Sequence, residues 1–131
     1  MDRLHHVAIF TADYAATAAF YREVFGAEAP DECTQPAVVT FGGATLHVFE
    51  NDSIAASWAP AHLHHFAVEA RDLVDFVAVR ERLLARGACG EEVIDFGLHV
   101  SLLATDPDGG MVEVLVPADA REHLPFAVTP H

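Results

Sequence analysis

Residues 4–13 read LHHVAIFTAD, and nearly the same phrase returns near the middle of the chain as LHHFAVEARD at residues 63–72. Each copy has the alternation of a β-strand and ends in an Asp that can cap a following helix. Each copy also brings a His to the same strand position, His6 in the first and His65 in the second. The repeat predicts a duplicated strand–helix unit, and the repeated His predicts a cleft that binds a metal.

The sequence after each copy continues in the same order. The first copy predicts a strand over 4–10, a helix over 14–25, and strands near 27–33, 36–41 and 44–50. The second copy predicts a strand over 63–69, a helix over 73–86, and strands near 90–95, 98–104 and 111–116. Each unit is therefore βαβββ, with a helix on one face of its sheet and the other face uncovered, so two units must pair.

These elements predict an α+β fold made of two βαβββ modules within a single domain over 1–131. The first module spans 1–50, a linker spans 51–62, and the second module spans 63–116. The tail, 117–131, lacks periodicity and is interpreted as either a loose end or a strap over a partner subunit.

Charge and composition exclude several classes of function. The formal net charge is −13, with 7 basic and 20 acidic residues, which excludes nucleic acid as a partner because its phosphates need Lys and Arg. No stretch resembles a signal peptide, and no apolar run approaches the roughly 18 residues of a membrane span. With only two cysteines, Cys33 and Cys89, we expect a reduced, cytoplasmic protein that is not bound to a membrane.

Strand alternation indicates which polar side chains point away from the helix of each module. On the first and last strand of each module, every second side chain is apolar and should pack against the helix. The side chains between them should then lie on the open face of the sheet. Four polar residues fall on that open face: His6, His47, His65 and Glu113. The neighbouring His5 and His64 are expected to face the helix side and to be structural.

Three imidazoles and one carboxylate form a donor set for a divalent metal such as Zn, Fe, Ni, Mn or Co. Four protein ligands leave positions open on a six-coordinate ion, which is typical of catalytic rather than structural sites. A single His on a strand is commonly a hydrogen-bonded structural residue. Three His residues and one Glu at equivalent positions of the repeat instead favour a metal-binding site. His99 and Ser101, on the strand beside Glu113, fit supporting or proton-carrying roles as well as core or surface positions.

With these motifs the chain resembles the vicinal oxygen chelate superfamily, which includes glyoxalase I, methylmalonyl-CoA epimerase, extradiol dioxygenases, fosfomycin-modifying enzymes and bleomycin-binding proteins. The resemblance spans residues 4–116, and it rests on the pairs His6/Asp13 and His65/Asp72 and on the turn at 106–109 before Glu113. It implies the glyoxalase/bleomycin resistance/dihydroxybiphenyl dioxygenase fold, in which paired modules form an incomplete barrel around a metal-binding cleft. It also implies metal ligands at His6, His47, His65 and Glu113, and a homodimer.

The resemblance leaves the reaction open. His6, His65 and Glu113 match the ligands of extradiol dioxygenases, whereas glyoxalase- and epimerase-like members usually carry Glu or Gln where His47 stands. The catalytic base is therefore either His47 or Glu113. Fosfomycin-modifying relatives usually carry Thr where this chain has Ala8, which argues against that activity.

Two classes of function follow for a small-molecule ligand. The first is a metal-dependent lyase, isomerase or dioxygenase whose substrate chelates the metal through adjacent oxygens. The second is a non-catalytic protein that binds a drug or natural product in a cleft lined by Phe10, Phe49 and Leu115.

Overall fold

The computed structural model describes residues 4–50 and 65–130, and the chain divides into two compact units with the boundary between Leu63 and His64. The predicted linker, 51–62, lies outside the described residues. In the described part of each unit, an α-helix packs with an open mixed sheet, which confirms the predicted α+β class.

Within residues 4–50, the N-terminal unit contains a three-stranded sheet and one α-helix. Its elements are β1 (Val7–Thr11), α1 (Tyr14–Phe25), β2 (Ala37–Phe41) and β3 (Ala44–Glu50). The strand order is β1-β3-β2, in which β1 is parallel to β3 and β2 is antiparallel to it. The first and last strands of this unit are therefore neighbours.

The C-terminal unit repeats this topology and extends it. Its elements are β4 (His65–Glu69), α2 (Leu73–Ala85), β5 (Ile94–Asp95), β6 (His99–Thr105), β7 (Met111–Pro117), a 3₁₀-helix (Ala118–His123) and β8 (Thr129–Pro130). The strand order is β4-β7-β6-β5-β8, and β4 is parallel to β7. Here too the first strand lies beside the last long strand of the repeat.

Both helices begin where the sequence predicts, because an Asp side chain accepts a hydrogen bond from a free backbone N–H of the first turn. Asp13 Oδ1 accepts from Ala16 N at 3.2 Å, and Asp72 Oδ1 accepts from Asp75 N at 2.8 Å. Gly26, with φ of 68°, ends α1 in the left-handed conformation that glycine adopts readily. Helix α1 matches its predicted range, and α2 is one residue shorter than predicted.

The core of each unit lies between its helix and its sheet. On the last strands, alternate side chains are at most 1% exposed: Leu46, Val48, Val112, Val114 and Val116. The helices bury Tyr21 and Val24 of α1, and Phe76 and Leu83 of α2, with no exposed surface. These buried side chains alternate along the strands and are the ones predicted to face the helix. The side chains between them therefore lie on the opposite face of the sheet.

Two predicted strands are wrong or much shorter than expected. The segment 27–33 forms only a single bridge, between Glu28 and Thr40, because the Arg22 guanidinium donates to the carbonyls of Ala29 and Pro30 at 2.6 and 3.0 Å. Because these two carbonyls accept hydrogen bonds from the Arg22 side chain, they do not accept from the backbone of a neighbouring strand. The predicted strand 90–95 is reduced to Ile94–Asp95.

The part of the predicted tail that the structure describes, residues 117–130, folds back on its own unit. Strand β8 pairs in parallel with β5, and Thr129 N donates to Val93 O at 2.8 Å. The guanidinium of Arg80 on α2 lies 4.2 Å from the centre of the Phe126 ring. The alternation rule missed this arrangement because a two-residue strand and a stacked aromatic leave no periodic signal.

Two further findings concern the membrane and the thiols. No helix within residues 4–50 and 65–130 is long and apolar enough to cross a membrane. Cys33 and Cys89 are both free cysteines.

The turn that begins at Asp106 sets the register of β6 against β7 and thus the position of Glu113. Asp106 Oδ1 accepts from Asp108 N at 3.0 Å and from Gly110 N at 2.8 Å. Gly109 has φ of 82°, which confirms the turn predicted from Asp-Pro-Asp-Gly.

Gly110→Ala is expected to destabilise the protein by about 1–3 kcal/mol, because two partly buried hydrogen bonds would be lost. A Cβ at Gly110 would lie 2.8 Å from Asp106 Oδ2, so the carboxylate would have to leave its two backbone donors. The check is urea denaturation with Gly90→Ala as the control, since a Cβ at Gly90 meets nothing within 4 Å. Equal stability of the two variants would contradict this account of the turn.

Candidate metal centre

The strand register places two of the predicted ligands at equivalent points of the repeat. In the first unit Ala8 of β1 lies opposite His47 of β3, and in the second Ala67 of β4 lies opposite Glu113 of β7. His6 and His65 each precede the corresponding Ala by two residues. Each unit therefore brings one early His and one late donor to the same place on its sheet.

In the N-terminal unit the donors form an imidazole cluster. The rings of His6 and His47 stack with centroids 3.7 Å apart and an angle of 8°. His5 Nδ1 lies 2.9 Å from His6 Nδ1, and one ring nitrogen from each of the three residues lies within 4.8 Å of the others.

The expectation that His5 faces the helix is wrong. Strand β1 begins only at Val7, so the alternation of side chains does not extend back to residues 4–6. His5 is exposed and joins the cluster of His6 and His47. The corresponding expectation for His64 falls on a residue outside the described ranges.

Electrostatics in this cluster favour the form of imidazole that binds metals. Burial, followed by the nearby His6 and His5, lowers the pKa of His47 below its usual value. A lowered pKa keeps the ring neutral to a more acidic pH, and only neutral imidazole has a free lone pair for a metal.

In the C-terminal unit a buried carboxylate lies between two imidazoles. Glu113 is 6% exposed, and its Oε2 lies 3.0 Å from His65 Nε2. Its other oxygen, Oε1, lies 2.8 Å from His99 Nε2. An ionised carboxylate can only accept, so His99 donates to Oε1 through its Nε2–H. The sequence indicates two residues, His99 and Ser101, that fit a supporting role beside Glu113. In the structure His99 contacts Glu113 directly.

The surroundings of Glu113 hold it in the ionised form. Burial by itself raises the pKa of this carboxyl, but the adjacent Ser101 hydroxyl and the His99 and His65 imidazoles outweigh burial and lower the pKa below its usual value. Ionised carboxylate is the form that binds a divalent metal.

This lowered pKa predicts the acid limb of the stability profile. A carboxyl with a lowered folded-state pKa contributes stability above its unfolded pKa of about 4.3, and that stability is lost as the pH falls through the folded-state value. In metal-free protein, Glu113→Gln should therefore lose less stability than wild type between about pH 5 and pH 3. Urea denaturation across this range measures the difference.

Glu92→Gln, at an exposed position, controls for the loss of one carboxylate. If Glu113→Gln and wild type lost stability in parallel over the acid range, the ion-paired role of Glu113 would be contradicted.

The donors of the C-terminal unit are spaced as ligands of a divalent metal ion. Ligand bonds of about 2.0–2.2 Å at tetrahedral or octahedral angles separate neighbouring ligand atoms by about 3.0–3.5 Å. The 3.0 Å between His65 Nε2 and Glu113 Oε2 falls in that range. Imidazole nitrogen with carboxylate oxygen suits Zn, Fe, Ni, Mn or Co.

Comparison with known families gives a match over most of the chain. The model of the Glyoxalase/Bleomycin resistance protein/Dioxygenase superfamily matches residues 3–114. No curated protein matches the chain.

Solved structures share the fold. A lactoylglutathione lyase from Agrobacterium tumefaciens is 23% identical with a TM-score of 0.68, over 88% of this chain and 94% of that chain. A glyoxylase/bleomycin resistance protein/dioxygenase domain from Frankia sp. EAN1pec is 18% identical with a TM-score of 0.73, over 89% and 98%. The fosfomycin resistance protein FosX from Listeria monocytogenes is 20% identical with a TM-score of 0.68, over 88% and 93%. At these identities the likeness shows a common fold.

Proposed function

The chain belongs to the Glyoxalase/Bleomycin resistance protein/Dioxygenase superfamily, and on that basis we propose that it is a divalent-metal-dependent enzyme of the vicinal oxygen chelate type. Its substrate is a small molecule that offers the metal two adjacent oxygens, and its reaction is that of a lyase, isomerase or extradiol-type dioxygenase. The observation that carries this proposal is the equivalent placement of His47 and Glu113 in the registers of the two sheets.

We propose that the metal ligands are two residues of each module. His6 and His47 come from the first module, and His65 and Glu113 come from the second. The stacked rings of His6 and His47 support the first pair, and the 3.0 Å approach of His65 to Glu113 supports the second. The single carboxylate leaves the site with net positive charge for a substrate that binds through its oxygens.

When bound, the metal supplies Lewis-acid stabilisation of the negative charge that develops on the substrate oxygens. The protein supplies the ligands and the proton acceptor. A base needs a lone pair that holds no metal, which is either a metal-free ring nitrogen of His47, held neutral by its surroundings, or a metal-free carboxylate oxygen of Glu113. The proposed catalytic base for removal of a proton beside the chelating oxygens is therefore either His47 or Glu113.

A second candidate function is non-catalytic binding of a drug or natural product. The net charge of −13 favours a cationic ligand. Phe10 and Phe49 lie opposite each other on β1 and β3 with ring centroids 6.1 Å apart, and they provide an apolar surface on which such a ligand can pack.

Water-proton relaxation of the Mn²⁺-loaded protein tests the enzyme proposal against the binder. We expect the bound ion to enhance relaxation because exchangeable water occupies its open positions. Catechol, with two adjacent oxygens, should displace that water and reduce the enhancement, whereas phenol, with one oxygen, should not. Enhancement that catechol leaves unchanged, together with tight bleomycin binding by metal-free protein, would favour the non-catalytic function.

We also propose that the protein is a homodimer in the cytoplasm, as the family resemblance and the cysteine content suggest. Light scattering of the untagged protein tests the dimer.

A further inference from the structure

The carboxylate of Glu113 has different partners on its two oxygens. Oε2 faces His65 Nε2 at 3.0 Å, and Oε1 accepts from His99 Nε2 at 2.8 Å. His65 is a proposed metal ligand, whereas His99 belongs to neither the ligand set nor the proposed bases. The inference that follows rests on the proposed function, and it concerns what the contact between His99 and Glu113 does for the metal site.

We propose that His99 is a positioning residue that holds Oε1 of Glu113 and presents only Oε2 to the metal. A free carboxylate can bind one ion through both oxygens and then occupies two coordination positions. A carboxylate whose second oxygen is already hydrogen-bonded uses one. His99 thereby keeps a coordination position open for the substrate.

The hydrogen bond from His99 has the properties that this role requires. A bond to an ionised carboxylate is about twice as strong as a neutral one, and 2.8 Å is within its preferred range. Glu113 is only 6% exposed, so little water reaches Oε1 to replace the imidazole. Solvent therefore does not release Oε1 from the His99 imidazole.

The backbone around His99 fixes the imidazole in place. His99 is the first residue of β6 and lies opposite Pro117 of β7, and its carbonyl accepts from Phe96 N at 2.9 Å. The Phe96 ring lies 5.6 Å from the His99 ring. Because strand pairing restrains the backbone of His99 and the Phe96 ring lies beside its imidazole, the imidazole can orient the carboxylate of Glu113.

The test uses cobalt-loaded protein of wild type and three variants. His99→Ala removes the donor to Oε1, and His99→Gln keeps an N–H donor of similar reach. His123→Gln, at an exposed position of the 3₁₀-helix, controls for the loss of an imidazole elsewhere. Cobalt affinity is measured by competition with a chelator, the visible d–d spectrum reports coordination number, and thermal unfolding of the metal-free variants reports folding.

We expect His99→Ala to weaken cobalt binding by about 10–100-fold, as is typical when a residue that orients a ligand is lost. The d–d absorption should also fall, because a second oxygen of Glu113 raises the coordination number. His99→Gln should restore both the affinity and the spectrum, and His123→Gln should match wild type.

A folded His99→Ala variant with the wild-type spectrum and affinity would overturn the positioning role and leave the metal site intact. The role would also be overturned if His99→Gln behaved like His99→Ala, because then the imidazole would not act through its N–H. Wild-type protein that binds no cobalt would overturn the proposed function, and the positioning role with it.

Discussion

Glu113→Ala is expected to weaken metal binding by at least about 100-fold. Loss of a residue that only orients a ligand already costs about 10–100-fold, and Glu113 is itself a proposed ligand and the only carboxylate of the set. Its removal also takes away the 3.0 Å contact with the imidazole of His65. Competition between the protein and a chromogenic chelator for Zn²⁺ measures the loss.

The same measurement on two further variants makes the prediction specific. His65→Ala should lose affinity to a similar extent, because it removes the other proposed ligand of the second module. His123→Ala, which removes an exposed imidazole outside the ligand set, should retain wild-type affinity. Wild-type affinity in Glu113→Ala would show that the metal, if bound, lies elsewhere.

Phe76→Ala is expected to lower the free energy of unfolding by about 3–5 kcal/mol, through lost burial and the cavity left in the core. Phe76 has no exposed surface, and its ring centroid lies 6.3 Å from that of Phe126 in the tail. The loss therefore affects both the packing of α2 and the tail that folds over it. Urea denaturation followed by circular dichroism measures the difference.

Val74→Ala is the matched control, because Val74 lies on the same helix but is 79% exposed. It should change the free energy of unfolding by no more than about 0.5 kcal/mol. If Phe76→Ala were no less stable than Val74→Ala, the placement of the core between α2 and its sheet would be wrong.

Most of the fold could be predicted because local patterns and tertiary structure agree. The repeated strand phrase locates β1 and β4, and the capping Asp13 and Asp72 locate the helices. The alternation around Leu46 and Val112 identifies the face that packs on each helix, since a strand buried on one side alternates with period two. These signals are strong where the strands are long and regularly paired.

The errors arise where contacts between distant residues decide the structure. Segment 27–33 contains strand-like residues, but the Arg22 side chain bonds its carbonyls. His5 was assigned by an alternation that begins only at Val7. The contact of His99 with Glu113 depends on the pairing of β6 with β7 and on the reach of both side chains, which a strand pattern does not encode.

Elemental analysis of the untagged wild-type protein tests the central claim most directly. We predict close to one Zn, Fe, Ni, Mn or Co ion per chain, either as purified or after reconstitution with the metal. Protein that retains no such metal after reconstitution would contradict the chelate mechanism and leave the non-catalytic binding function in its place.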